Sequence, residues 1–273
     1  MKLSFSTLGC PEWTFDQVLS GAKELGMDGI EIRGIGPALD NRKIPEFREQ
    51  SLPGTAAKLQ EAGLEIPVIG TSCTFHAPEL YQKSIDEGAA AIDLCGRLGS
   101  PYIRVFGDAL GSKPEESIAQ AVRGITELCR YAHKSGVGVL LEIHGEFNTC
   151  EVLDKVLEGC AQWENFGILW DVEHSDRAYG DGWQEFYRLI APFIRHVHIK
   201  DCLRSTSSSP LKLTLPGKGD IPLKDITARL LDDGYNGYFS LEWEKRWVPE
   251  LPGIEDALAC FTSMFGRGGD IYG

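Results

Sequence analysis

His196-Val197-His198-Ile199-Lys200-Asp201, approached by the apolar run Ala191-Pro192-Phe193-Ile194, reads as a buried strand that ends in chemistry. Side chains alternate across a strand, so His196, His198 and Lys200 share one face while Val197 and Ile199 take the other. An imidazole is thereby delivered at a strand end, and a turn is expected to begin at Asp201-Cys202. Three other runs end alike: Val139-Leu140-Leu141 leads into Glu142, Ile168-Leu169-Trp170 into Asp171, and Phe239-Ser240-Leu241 into Glu242. Three carboxylates and one imidazole suit a divalent ion with open coordination positions. Any one of them alone is equally an ordinary polar strand terminus. Four in chain order, each after a buried-type run and before a helical pattern, point to a site.

Outward from that strand the whole chain alternates strand-like and amphipathic runs. Strands are expected at residues 2–7, 29–33, 66–71, 102–106, 139–143, 166–171, 194–199 and 238–242. Helices are expected from Thr14 to a stop at Gly26, then at 53–62, 79–98, 114–135, 150–157, 183–190, 223–231 and 254–265. Eight strand-helix units in 273 residues, without linker or low-complexity tract, predict an α/β fold of the (β/α)8 TIM barrel type, one domain spanning 1–273. A doubly wound open sheet is the rival, because periodicity does not show closure. No Gly-x-Gly-x-x-Gly follows the first strand, which removes that rival's usual nucleotide-binding support. In a barrel the reactive groups stand on the C-terminal strand ends, where Glu142, Asp171, His198 and Glu242 fall.

Composition narrows the function classes. With 27 basic against 40 acidic side chains, a net charge of −13 repels a phosphate backbone, so nucleic acid is not an expected partner. No apolar stretch approaches the roughly 20 residues of a membrane span, and the start lacks a signal peptide's apolar core. A cytoplasmic protein without a membrane partner is expected. The eight cysteines are scattered with no Cys-x-x-Cys pair, which argues for reduced, buried thiols. Whether copies assemble into a homo-oligomer is left open.

Between the candidate ligands the sequence steps are one strand-helix unit, one unit, and then a longer gap, because residues 203–222 form an extended segment. Within it Ser205-Thr206-Ser207-Ser208-Ser209-Pro210 reads as mobile, and residues 215–222 are rich in turn formers. A long loop at the active face is a lid or substrate clamp, or else a solvated insertion. At this point the residues resemble a known family. Glu142 in Leu-Leu-Glu-Ile-His, the Asp171-Val172-Glu173-His174 step, the His196-x-His198-Ile-Lys-Asp201 strand end, Gly217-x-Gly219-Asp-Ile-Pro222 and Leu241-Glu242 are similar to those of the xylose isomerase-like TIM barrels. That superfamily holds sugar isomerases and epimerases, ketose 3-epimerases, inosose dehydratases and the endonuclease IV type of nuclease.

The ketose 3-epimerase pattern implies Glu142, Asp171, His198 and Glu242 as ligands of one divalent ion, Mn²⁺, Mg²⁺ or Co²⁺, with Zn²⁺ a further candidate. Three carboxylates against one nitrogen independently favour such harder ions over a thiolate-loving one. It also implies His174 and Arg204 at positions that bind substrate oxygens; the plain alternatives are a turn cap and a solvated loop charge. The implied activity is isomerisation or epimerisation of a small sugar or polyol ketone, with Glu142 and Glu242 as the catalytic pair that takes and returns a proton next to the carbonyl. An inosose dehydratase-like lyase is the alternative; a nuclease or a non-catalytic sugar-binding barrel is weaker.

Further readings come from the residues themselves. His144 shares the face of Glu142 and lines the pocket. His196 lies deeper in the barrel. Lys200 neutralises an anionic substrate or enediolate, or pairs with Asp201. Trp13, Phe75, His76, Arg104 and Trp243 stand near strand ends, Trp13 as an aromatic wall against sugar carbons or as core packing. Glu146 reads as an exposed helix-start carboxylate, and Glu244 and Lys245 as solvated charges. No phosphate-binding glycine loop is present, which favours a non-phosphorylated substrate.

Overall fold

The computed structural model describes residues 1–266. Eight parallel strands form one sheet: β1 (Lys2–Ser6), β2 (Gly29–Glu31), β3 (Ile69–Thr74), β4 (Tyr102–Phe106), β5 (Gly138–Glu142), β6 (Phe166–Asp171), β7 (Ile194–Ile199) and β10 (Tyr238–Leu241), while β8 (Asp201–Leu203) and β9 (Lys212–Thr214) pair as a separate hairpin. Along the sheet the order is β2-β1-β10-β7-β6-β5-β4-β3. Its two edges meet: Ile32 N–H donates to Val68 O at 3.1 Å, Gly70 N–H to Ile32 O at 2.7 Å, and Ile30 N–H to Glu65 O at 2.9 Å. The sheet is therefore a closed barrel, and the open-sheet rival falls. Closure also abolishes the unpaired strand edges that would otherwise template aggregation.

Around the barrel run α1 (Phe15–Glu24), α2 (Leu52–Ala62), α3 (Tyr81–Leu98), α4 (Pro114–Ala132), α5 (Cys150–Cys160), α6 (Val172–Tyr179), α7 (Trp183–Ile190), α8 (Leu223–Asp232) and α9 (Ile254–Phe265). Their ends obey local chemistry. Thr14 and Gln17 form a reciprocal capping box at the start of α1, and Gly63 and Gly99 close α2 and α3 in the left-handed conformation. Packing leaves little slack: a Cβ on Gly124 of α4 would lie 2.3 Å from the Phe75 ring. Among the described residues no helix is long and apolar enough to cross a membrane.

Four expectations need correction. Regular pairing of the third strand starts at Ile69 rather than residue 66, because Pro67 has no N–H to give the ladder. A helix, α6, follows Asp171 directly; Val172-Glu173-His174-Ser175-Asp176-Arg177 carries too little apolar periodicity to announce it. Asp201 opens a strand instead of a turn, and residues 201–214 form a hairpin whose tip is the serine-rich 205–210 stretch. Glu146 is exposed but not at a helix start: it accepts the Leu110 N–H at 2.7 Å and clasps the loop after β4.

Two glycines on the helical layer make opposite predictions. Gly124→Ala should lower stability by about 1–3 kcal/mol, since the Phe75 ring must move. Gly96→Ala in α3 meets nothing within 4 Å and should raise stability by about 0.5–1 kcal/mol. Urea unfolding midpoints of the two variants test both signs.

Candidate metal centre

Each strand end delivers one side chain to the barrel axis. Glu142 ends β5, Asp171 ends β6, His198 lies on β7 one residue before its end, and Glu242 follows β10. Their ligand atoms all lie within 4.8 Å of one another, and all four residues are buried. From His198 Nδ1 the distances are 3.8 Å to Glu142 Oε1, 3.8 Å to Asp171 Oδ2 and 3.5 Å to Glu242 Oε1. Two ligands each about 2.1 Å from one ion stand roughly 3 to 4 Å apart, so this spacing is that of a shared ion. His198 Nδ1 is buried without a hydrogen-bond partner, as a ligand nitrogen is before a cation satisfies it. The donor set fits a divalent ion.

Local structure explains why Asp171 presents one oxygen only. Its Oδ1 accepts the N–H groups of Glu173 and His174 at 2.9 and 3.3 Å, capping α6, and Oδ2 is left for the centre. Lys200, buried beside it, lies 2.8 Å from Asp171 Oδ2, 2.6 Å from Glu242 Oε2 and 2.6 Å from Glu244 Oε1. This corrects two expectations. Lys200 does not pair with Asp201, whose carboxylate instead accepts the N–H groups of Cys202, Gly217, Gly219 and Ile221. Nor is Glu244 a solvated charge. Lys245 is not solvated either: its ammonium donates to the carbonyls of Pro249 and Leu251. On the far side Arg104, also buried, places Nε 2.9 Å from Glu142 Oε2 and donates from Nη1 to Thr71 O at 3.1 Å.

These charges set the proton affinities. Burial works against the His198 imidazolium, but Glu242 and Glu31 outweigh it and hold it well above the ordinary histidine range. Burial likewise opposes the Lys200 ammonium, and Asp171 and Glu242 hold it up. Against burial, Lys200 draws Asp171 well below the usual carboxylate range, and His198 and Lys200 do so for Glu242. Glu142 goes the other way: burial raises it, Arg104 opposes and the Glu242 charge adds.

Of the expected substrate contacts, the structure brings His144, His174 and Lys200 to this mouth. The His144 and His174 rings pack with centroids 4.2 Å apart. Burial pushes His174 down to about 3, so it is a neutral imidazole. His144 Nδ1 lies 3.4 Å from Asp108 Oδ1; burial opposes its charge, but the Asp108 contact raises it. Asp108 itself holds φ at 75°, a left-handed conformation rare outside glycine, next to both His144 and His76. Arg204 is engaged elsewhere, bidentate on Asp176 at 2.7 and 2.8 Å and bonded to Asp181 at 2.9 Å. Trp13 packs over Gly21 and borders a groove with Cys10, Lys245 and Arg246 that none of the four candidate ligands lines. The reading of the sequence missed Arg104 as a partner of Glu142, Glu244 as a partner of Lys200, and Asp108. The inward alternation of β4 was the available signal for Arg104.

Fold and site together define a (β/α)8 barrel with three carboxylates and one imidazole gathered on its C-terminal strand ends. The chain belongs to the xylose isomerase-like TIM barrel family, which it matches over residues 19–264. It is similar to fructoselysine 3-epimerase of Shigella flexneri, 25% identical over 264 residues and 92% of each chain. It is also similar to inosose dehydratase of Klebsiella pneumoniae (strain 342), 26% identical over 268 residues, 86% of this chain and 84% of the relative. Among solved structures, the IOLI protein with a bound zinc atom superposes with a TM-score of 0.77 at 21% identity, covering 96% of this chain and 97% of that one.

Because the imidazolium is favoured at His198 when no cation is bound, a metal ion must displace a proton there. Metal affinity should therefore fall as pH drops through the neutral range. Calorimetric Mn²⁺ titrations in buffers of different ionisation enthalpy should report close to one proton released per ion, and none released would contradict this account of His198.

Proposed function

We propose that the protein is a divalent-metal-dependent isomerase or epimerase of a small sugar or polyol ketone. The observation that carries this reading is the convergence of Glu142, Asp171, His198 and Glu242 within 4.8 Å at one end of the barrel. A divalent ion held there supplies positive charge where negative charge develops on substrate oxygen during removal of a neighbouring proton.

The chain's own residues divide the remaining work. Glu142 and Glu242 take and return the proton on either side of the substrate. Glu142, raised by burial and by its neighbour's charge, is the stronger base of the two. Glu242 is held down by His198 and Lys200. Lys200 adds a fixed positive charge beside the reacting oxygens. His174, neutral at physiological pH, donates to or accepts from a substrate hydroxyl, and His144 stands beside it. Arg204 reaches substrate only by loosening its contacts with Asp176 and Asp181. The epimerase among the relatives supports this assignment.

The lyase reading shares the first step and differs in the second, where a β-hydroxyl is lost; the dehydratase relative is what favours it. The nuclease reading has less support: the chain carries a net charge of −13, and a second group of ligand-type side chains, Glu31, His196 and His198, is already hydrogen-bonded within itself.

Incubation with Mn²⁺ and a panel of ketoses and ketopolyols in D₂O separates these outcomes by NMR. Deuterium entering the carbon next to the carbonyl, with inversion or carbonyl migration, is expected; net loss of water identifies the lyase, and no exchange on any substrate overturns both. Glu142→Gln and Glu242→Gln should each lower turnover by about 10²–10⁴-fold while Mn²⁺ still binds, measured by steady-state kinetics alongside metal analysis.

A further inference from the structure

Glu31, at the end of β2, reaches across the barrel interior. In the sheet β1 and β10 lie between β2 and β7, so its side chain crosses the interior to touch β7. Its Oε2 accepts from three donors: His196 Nε2 at 2.9 Å, His198 Nε2 at 2.9 Å and Ser240 Oγ at 3.0 Å. Oε1 has no hydrogen-bond partner. Glu31, His198 and Ser240 are sealed from solvent and His196 nearly so.

The chemistry of these contacts fixes proton positions. Three donor-capable groups converge on the single oxygen Oε2 at 2.9 to 3.0 Å, an arrangement in which that oxygen has no proton of its own to give and accepts from each. Both imidazoles therefore carry a proton on Nε2. A neutral His198 then has its lone pair on Nδ1, the atom that stands 3.5 to 3.8 Å from the three carboxylates. The imidazole torsion is otherwise broad, and either ring nitrogen can carry the proton. His196 faces the other end of the barrel, where it borders a groove with Arg195, Tyr235 and Tyr238. The distances of 2.9 Å within the Glu31 group leave no room for an ion there, so the group does not form a second metal site.

We propose that Glu31 is the positioning residue of the metal centre: by accepting the Nε2 proton of His198 from across the barrel, it fixes the tautomer and rotation that aim Nδ1 at the ion. This inference rests on the metal-dependent reading above. Carboxylates that hold a metal-bound histidine in this way raise its basicity as well as orient it, and removing one typically weakens metal binding by about 10–100-fold. A merely structural Glu31 would support folding and leave metal affinity alone.

The experiment measures Mn²⁺ affinity by electron paramagnetic resonance of the free ion, without substrate, in the unaltered protein and in Glu31→Leu, Glu31→Gln and Ser240→Ala. Glu31→Leu should weaken binding by about 10–100-fold. Glu31→Gln keeps an acceptor oxygen but not the charge and should lose less, about three- to tenfold. Ser240→Ala removes one donor to Glu31 Oε2 but leaves the His198 contact with that oxygen in place, so its affinity should stay within about twofold. Long-range ¹H–¹⁵N spectra of the Zn²⁺-loaded protein should show His198 protonated at Nε2, and a disturbed ring environment in Glu31→Leu. A folded Glu31→Leu with unchanged affinity overturns the proposal, as does a His198 protonated at Nδ1. Should Glu31→Leu not fold, unchanged affinity in Glu31→Gln overturns it. Lack of Mn²⁺ binding by the unaltered protein would sink the metal reading and this one together, whereas lack of turnover with normal binding would sink neither.

Discussion

The structure depends on keeping a crowd of carboxylates ionised where water does not reach. Glu31, Glu142, Asp171 and Glu242 are all buried inside or at the mouth of one barrel. Each unpaired charge of this kind costs several kcal/mol to desolvate, and mutual repulsion adds to it. Lys200, Arg104, His196 and His198 are the cations and donors that make the arrangement tenable. They are shared: Lys200 alone touches Asp171, Glu242 and Glu244. The balance is still incomplete, because Glu142 is raised rather than lowered and His198 Nδ1 has no hydrogen-bond partner. A divalent cation at the centre is what such a field favours.

Secondary structure is recruited to the same end. Asp171 uses one oxygen to cap α6 and so has only the other to turn toward the centre. That cap begins a helix whose Asp176 holds Arg204, and Arg204 in turn links the β8–β9 hairpin to α6. At the hairpin's base Asp201 accepts four backbone N–H groups and anchors the chain from Gly217 to Ile221. Gly219 has no alternative there, since a Cβ would stand 2.1 Å from Asp201 Oδ1. The segment that the sequence suggests as a loose lid is thus pinned at its base, with its serine-rich tip left exposed.

What the sequence made legible follows from periodicity. Strand alternation in residues 194–200 put His196, His198 and Lys200 on one shared face, which turns out to be buried with Glu31 and Asp171, and the eight-unit repeat named the barrel. The four candidate ligands converge because strands of similar length end at one level. What stayed hidden depends on contacts between strands that are not neighbours. Nothing in Gly29-Ile30-Glu31-Ile32 says that Glu31 will span the interior to β7, and nothing around Glu244 says that it will find Lys200. α6 was hidden for a different reason: its start is dictated by the Asp171 cap and its faces are mostly polar, so the apolar rhythm that reveals other helices is absent. For Trp13 the sequence left an aromatic wall and core packing open, and its ring packs against the core, because proximity to a strand end in sequence does not set the direction of a side chain in a βα loop.

The two catalytic candidates are unequal for a reason that the fold itself supplies. Glu242 divides its oxygens, Oε1 toward His198 and Oε2 toward Lys200, so positive charge stabilises its ionised form from both sides. Glu142 has Arg104 at 2.9 Å on Oε2 and only the more distant His198, at 3.8 Å, on Oε1, and the guanidinium also serves the Thr71 carbonyl and lies over the Phe106 ring. A carboxylate so much less compensated holds a proton more readily. On the proposed reading, proton removal and return are therefore not interchangeable between the two sides of the substrate. The face toward β5 has the more basic group, while the face toward β10 has the group held ionised by Lys200, so the rate of proton removal depends on which face carries the exchangeable hydrogen, while the net direction is set by the ketones themselves.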